Sequence, residues 1–121
     1  MAMKNGLSVV AALASLGFAA PAQASGGLLC RTAGARPIDL RLVISHTVVP
    51  TIVSARLIEA GREVPVALAQ SWMEPGELRV DLVDRNAQRH ELRIRARKNG
   101  PYFDGSLWRG GRRHWVRCRE G

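Results

Sequence analysis

Beyond its leader, this chain reads as an all-β domain: a small antiparallel meander of eight short strands, closed as a barrel or a sandwich and locked by one disulfide. Three observations predict this. Apolar residues recur with a period of two along most of the chain, and no window carries a helical stripe. Clusters of Gly, Pro, Asn and Asp separate short apolar runs at regular spacing. The only two cysteines of the 121 residues, Cys30 and Cys118, stand near the two ends of this region.

The first 24 residues have the make-up of a secretory signal peptide. Lys4 supplies the positive start, residues 7–20 an apolar run, and Ala22-Gln23-Ala24 a small-x-small cleavage pattern that predicts a mature start at Ser25. The run falls short of the roughly 20 apolar residues a membrane span needs, and Pro21 follows it. Leu28 and Leu29 ahead of Cys30 put bulky side chains where lipid attachment takes small ones, so no lipoprotein is expected. No later stretch is apolar enough to span a bilayer, so no transmembrane span is expected in the mature chain. Residues 25–121 are therefore read as a single β domain, exported to a bacterial periplasm or secreted. In that oxidising setting the two cysteines are expected to pair with each other. A bridge closing so long a loop contributes on the order of 4–5 kcal/mol.

Taken in order, residues 27–32 form a first strand carrying Cys30, ended by the 34–37 break. Residues 38–45 alternate cleanly, with Ile38, Leu40, Leu42 and Ile44 on one face and Asp39, Arg41 and Ser45 on the other. Pro50 interrupts, and residues 51–58 make a β-branched third strand. A turn at 60–63 leads to a fourth strand over 64–73, with Pro65 near its start, where a missing N–H is tolerated. Glu74-Pro75-Gly76-Glu77 is the plainest turn, followed by a fifth strand with Leu78, Val80 and Leu82 on one face. In the sixth, His90, Leu92, Ile94 and Ala96 are expected to face in and Glu91, Arg93, Arg95 and Arg97 out. A turn at 98–101 precedes the seventh strand (102–108), and a tight turn at 109–112 precedes the eighth (113–119).

The net charge of +8 is unevenly spread. Residues 25–84 hold six arginines and seven acids, whereas residues 85–121 hold eleven basic residues and three acids. The basic part also holds Tyr102, Trp108 and Trp115. Cations interleaved with aromatic rings suit a polyanion-binding face, and Arg93, Arg95, Tyr102, Trp108, Arg109, Arg113 and Trp115 are its candidate residues. The partner expected for an exported protein is an anionic envelope polymer or lipid headgroup, or an acidic protein, and not nucleic acid. The competing reading is a solvated basic face: sixteen of the eighteen cations are arginine, as a composition bias would give, and Arg93, Arg95 and Arg97 also suit a protected edge.

Catalytic chemistry finds no motif. His46, His90 and His114 are far apart, and none is spaced with a Cys, Asp or second His as metal ligands are. No nucleophile elbow is present, and Asp84 and Asp104 flank Asn and Gly as turn formers do. The chain is read as a non-enzyme without cofactor or metal. Tryptophans in a small domain belong mostly to the core. Trp115, however, lies out of phase with His114, Val116 and Cys118 and so faces away from the disulfide.

Asn99-Gly100-Pro101-Tyr102 and Trp108-Arg109-Gly110, together with the cysteine frame, resemble fragments of the bacterial periplasmic and membrane-bound inhibitors of c-type lysozyme. Those are small exported antiparallel β-barrels with a Ser-Gly-x-x-Tyr stretch leading to a Trp-x-Lys-Gly turn. The resemblance implies a loop that plugs an enzyme's cleft, with Asn99 and Arg109 as contacts. Here Asn99 stands for the serine, Arg109 for the lysine, and the Gly-to-Tyr spacing is one residue shorter. Inhibition of a lysozyme-type, peptidoglycan-cleaving enzyme is thus the alternative function.

Overall fold

A computed structural model describes residues 25–46 and 48–121; the export signal read at 1–24 lies outside them. The strands are β1 (Ser25–Thr32), β2 (Ile38–His46), β3 (Pro50–Glu59), β4 (Arg62–Val64), β5 (Ala67–Glu74), β6 (Glu77–Val83), β7 (His90–Asn99), β8 (Tyr102–Arg109) and β9 (Arg112–Glu120). They form one antiparallel sheet in the order β4-β3-β2-β1-β9-β8-β7-β6-β5. Its two edge strands, β4 and β5, are consecutive in sequence and joined by Pro65 and Val66 alone. Three Cα steps span at most about 11 Å, so the sheet has to curl until its edges meet. The result is a half-barrel and not a two-layered sandwich.

The eight expected strands become nine because the fourth divides. β4 pairs with β3 through Leu57↔Val64 and Glu59↔Arg62. Pro65 has no N–H to give a ladder, the chain bends, and β5 continues against β6 instead. Beyond the bend β3 and β5 run near each other without pairing. Val53 on β3 and Ala69 on β5 are each skipped by the register of the neighbouring strand, and such bulges break the regular edge a closing ladder needs. This open seam is where closure stops.

The disulfide joins the first and last strands in mid-sheet. Cys30 and Cys118 are opposite partners in the β1–β9 ladder, with Cα atoms 3.9 Å apart. The concave side holds the core, built from alternate residues such as Leu40, Leu42, Leu57, Leu78, Leu82, Leu92, Ile94, Leu107 and Val116, all essentially solvent-free. Gly105 belongs to this inward row, between Ala96 and Val116. A Cβ there would run into the backbone of Arg95 and Ala96.

Because the strands alternate in direction, successive turns alternate between the two ends of the barrel. The β1–β2, β3–β4, β6–β7 and β8–β9 turns share one end; the start of β1, the end of β9 and the β2–β3, β5–β6 and β7–β8 turns share the other. At the end where β1 begins, the sheet opens on a mainly apolar cavity of about 580 Å³ whose lining includes Leu28, Ile44, Met73 and Phe103. At the opposite end Arg109 closes the interior.

Three sequence expectations change. His90 is exposed, because Glu91 is an extra residue in β7: Leu82 pairs with Leu92 while Val83 pairs with His90, and the alternation shifts. Asp104 is no turn former but a mid-strand residue bound to Arg117, whereas Asp84 does hold its turn. Trp72, Trp108 and Trp115 are 52%, 37% and 50% exposed and lie outside the core. Each falls on the outward phase of its strand, Trp72 opposite Arg79, Trp108 opposite Arg93 and Trp115 opposite Ser106, which puts the indoles on the convex face.

Candidate functional site

The candidate residues of the basic segment divide by phase. Arg93, Arg95, Trp108, Arg113 and Trp115 lie on the convex face, where Trp108 is flanked in register by Arg93 and Arg113. Arg93 and Arg95 share a single carboxylate. Asp81, buried beneath them, accepts from Arg93 Nε at 2.9 Å and from an Arg95 terminal nitrogen at 3.5 Å. A shallow cavity of about 420 Å³ beside Trp108 is lined by these two arginines, but also by Glu91.

Arg109 sits in the inward row with Phe103 and Leu107, and its side chain is only 19% exposed. Its guanidinium donates to both carboxylate oxygens of Glu59, at 3.2 and 3.0 Å, and to Glu91 at 2.7 Å. It is committed to the fold. The hydrogen bond from Arg109 holds the Glu91 carboxyl below the usual carboxylate range. Asn99 and Arg109, the contacts implied by the lysozyme-inhibitor resemblance, stand at opposite ends of the β7–β8 hairpin.

The strongest concentration of cations around a concavity lies one strand further on, across β9, β1 and β2. A groove of about 460 Å³ is lined by Arg31, Arg41, Arg117, Arg119 and Trp115, with Asp39 as its one carboxylate. The ladder explains the assembly. Leu29 of β1 pairs with Arg41 on one side and Arg119 on the other, and Arg31 pairs with Asp39 and Arg117. Arg31 forms a bidentate pair with Asp39 at 2.6 and 3.1 Å. Arg41 and Arg119 have no carboxylate within ion-pair distance among the described residues.

Trp115 and Arg117 form the groove's rigid wall. Both Asp104 oxygens accept from Arg117 at 2.8 Å, and Asn99 donates to the same carboxylate at 2.7 Å. The hydrogen bonds from Arg117, helped by Asn99, hold Asp104 below the ordinary carboxyl range. The guanidinium lies 4.0 Å from the centre of the Tyr102 ring and 5.3 Å from that of Trp115. Tyr102 thus supports Arg117, and Arg117 supports the indole.

Arg31, Arg41, Arg117 and Arg119 were not singled out from the sequence. Arg117 and Arg119 share the parity of Trp115, but only the β9–β1 and β1–β2 registers bring Arg31 and Arg41 beside them. A count by halves of the chain hides this, because the ladder joins the near-neutral N-terminal part to the basic C-terminal part.

Among the described residues no three His, Cys, Asp or Glu side chains gather as a metal site requires. Comparison with known protein families, characterised proteins and solved structures returned no match.

Proposed function

We propose that this chain is an exported, non-enzymatic binding protein whose β9-β1-β2 groove takes a linear anionic polymer of the bacterial envelope. The observation that carries the reading is the grouping of four arginines around one concavity, two of them with no carboxylate partner. An extended acidic chain lying along β1 would meet Arg41 and Arg119 on either side of Leu29 and the exposed indole of Trp115 beyond. Guanidinium groups suit phosphate and carboxylate through paired N–H donors, and an indole face suits a sugar ring. Arg31 and Arg117 are already oriented by their own carboxylates, so little conformational freedom is lost when they are approached. Export is consistent with the leader and with a disulfide stable only outside a reducing cytosol.

Retention of the oxidised domain on immobilised polyphosphate and lipopolysaccharide, eluted with rising salt, tests this. Wild type should be retained and elute with salt. R41Q/R119Q should elute much earlier, and R93Q/R95Q close to wild type. Equal elution of all three proteins, or passage of wild type through both columns, would remove the groove from the account.

A further inference from the structure

The end of the barrel closed by Arg109 carries a second set of cations that the groove does not use. Each of its four turns contains or adjoins at least one exposed arginine: Arg36 between β1 and β2, Arg62 at the start of β4, Arg85 between β6 and β7, and Arg112 with Arg113 at the start of β9. None of these five has a carboxylate within ion-pair distance among the described residues. The acids of this end are engaged elsewhere. Glu59 and Glu91 hold Arg109, and Glu63 holds Arg56. Asp84 accepts from the backbone N–H groups of Gln88 and Arg89 and also faces the Arg89 side chain. The end at the start of β1 is unlike it: the β2–β3, β5–β6 and β7–β8 turns contain no arginine, Arg97 stands opposite Glu77, Lys98 is accompanied by Glu74 and Glu120, and Arg119 belongs to the groove.

We infer that this arginine-tipped end docks the protein on the surface of an anionic lipid bilayer. Turn tips around one end of a barrel extend in one general direction, so their guanidiniums can meet a plane of phosphates together. A polymer chain following a groove on the barrel's side would meet few of them. No large apolar residue occupies these tips, so the contact is adsorption at headgroup level without insertion. Attachment by this end leaves the β9-β1-β2 groove open along the side. The inference is independent of the groove's ligand, because the two arginine sets share no residue.

Cosedimentation of the oxidised domain 25–121, which contains all nine strands, with phosphatidylcholine vesicles and with phosphatidylcholine–phosphatidylglycerol vesicles tests it. Wild type should bind only the anionic vesicles. R36Q/R62Q/R85Q/R112Q, four changes at exposed positions in or beside the turns, should weaken that binding on the order of a hundredfold or more. R41Q/R119Q should bind vesicles as wild type does, while losing retention on immobilised polyphosphate. The inference is overturned if wild type does not sediment with anionic vesicles, or if the four-turn variant binds them unchanged. It is equally overturned if R41Q/R119Q alone loses them, because the groove would then be the lipid contact.

Discussion

Arg109 and Glu59 meet across fifty residues of sequence, the guanidinium bonding both carboxylate oxygens from the inward row of β8. With Glu91 this ties β3, β7 and β8 together at the end of the barrel where the β3–β4 hairpin bends away. The open seam begins beside it, so the cluster fastens the curled sheet where backbone pairing gives out. Arg109→Gln should cost about 1–2 kcal/mol, between the small value of exposed pairs and the larger loss on breaking buried ones. Chemical denaturation at neutral pH measures it; an unchanged midpoint would mean the cluster is dispensable.

The same cluster sets part of the acid response. The carboxyls of Glu63, Glu77, Asp84, Glu91 and Asp104 are all held below their ordinary range, Asp84 by backbone N–H donors and the others by hydrogen bonds from arginine. A carboxyl depressed in the folded state contributes stability that is fully present above its unfolded value of about 4 and disappears as pH falls through the folded value. The melting temperature should therefore fall as pH drops below about 4. Arg109→Gln should soften that fall, because Glu91 would titrate nearer its unfolded value. A melting temperature flat from neutral pH to well below 4 would contradict this.

The bridge between Cys30 and Cys118 spans 88 residues. Reduction should lower stability by about 4–5 kcal/mol in the loop-entropy account. Thermal unfolding with and without a reductant, or of the double alanine variant, measures the loss.

Two backbone positions give opposite expectations. Ala60 has φ 53° and Gly61 φ 77°, the paired positive values of a two-residue hairpin turn, and alanine holds the first of them at a steric cost. Ala60→Gly should stabilise by about 0.5–1 kcal/mol, the strain relieved exceeding the added freedom of the unfolded chain. Gly105→Ala should destabilise by about 3 kcal/mol or more, since the new methyl meets main chain that cannot step aside. Denaturant midpoints of the two variants should move in opposite directions.

Much of the architecture was legible in the sequence. Alternation placed Leu40, Leu78 and Ile94 in the core, and the expected cysteine bridge tied the first strand to the last. The division of the fourth strand was less so: Pro65 marks the place, but whether a strand absorbs a proline at its start or bends there depends on which neighbour it must reach. Strict alternation put His90 inside because a bulge leaves little trace in sequence, and Glu91 gains its meaning only from Arg109. The basic segment was visible as composition. Its arrangement in space was not, since Asp81 on a different strand is shared by Arg93 and Arg95, while Arg41, far away in sequence, lines the same groove as Arg119.

The most direct test of the groove is the salt dependence of binding to soluble polyphosphate, measured by titration calorimetry for wild type, R41Q/R119Q and R93Q/R95Q. If arginines of the groove displace counterions from the polymer, the slope of log K against log salt should shrink by roughly one for each groove arginine removed. R41Q/R119Q would then show a slope smaller by about two, and R93Q/R95Q the wild-type slope. Identical slopes for wild type and R41Q/R119Q, or a loss confined to R93Q/R95Q, would contradict the account.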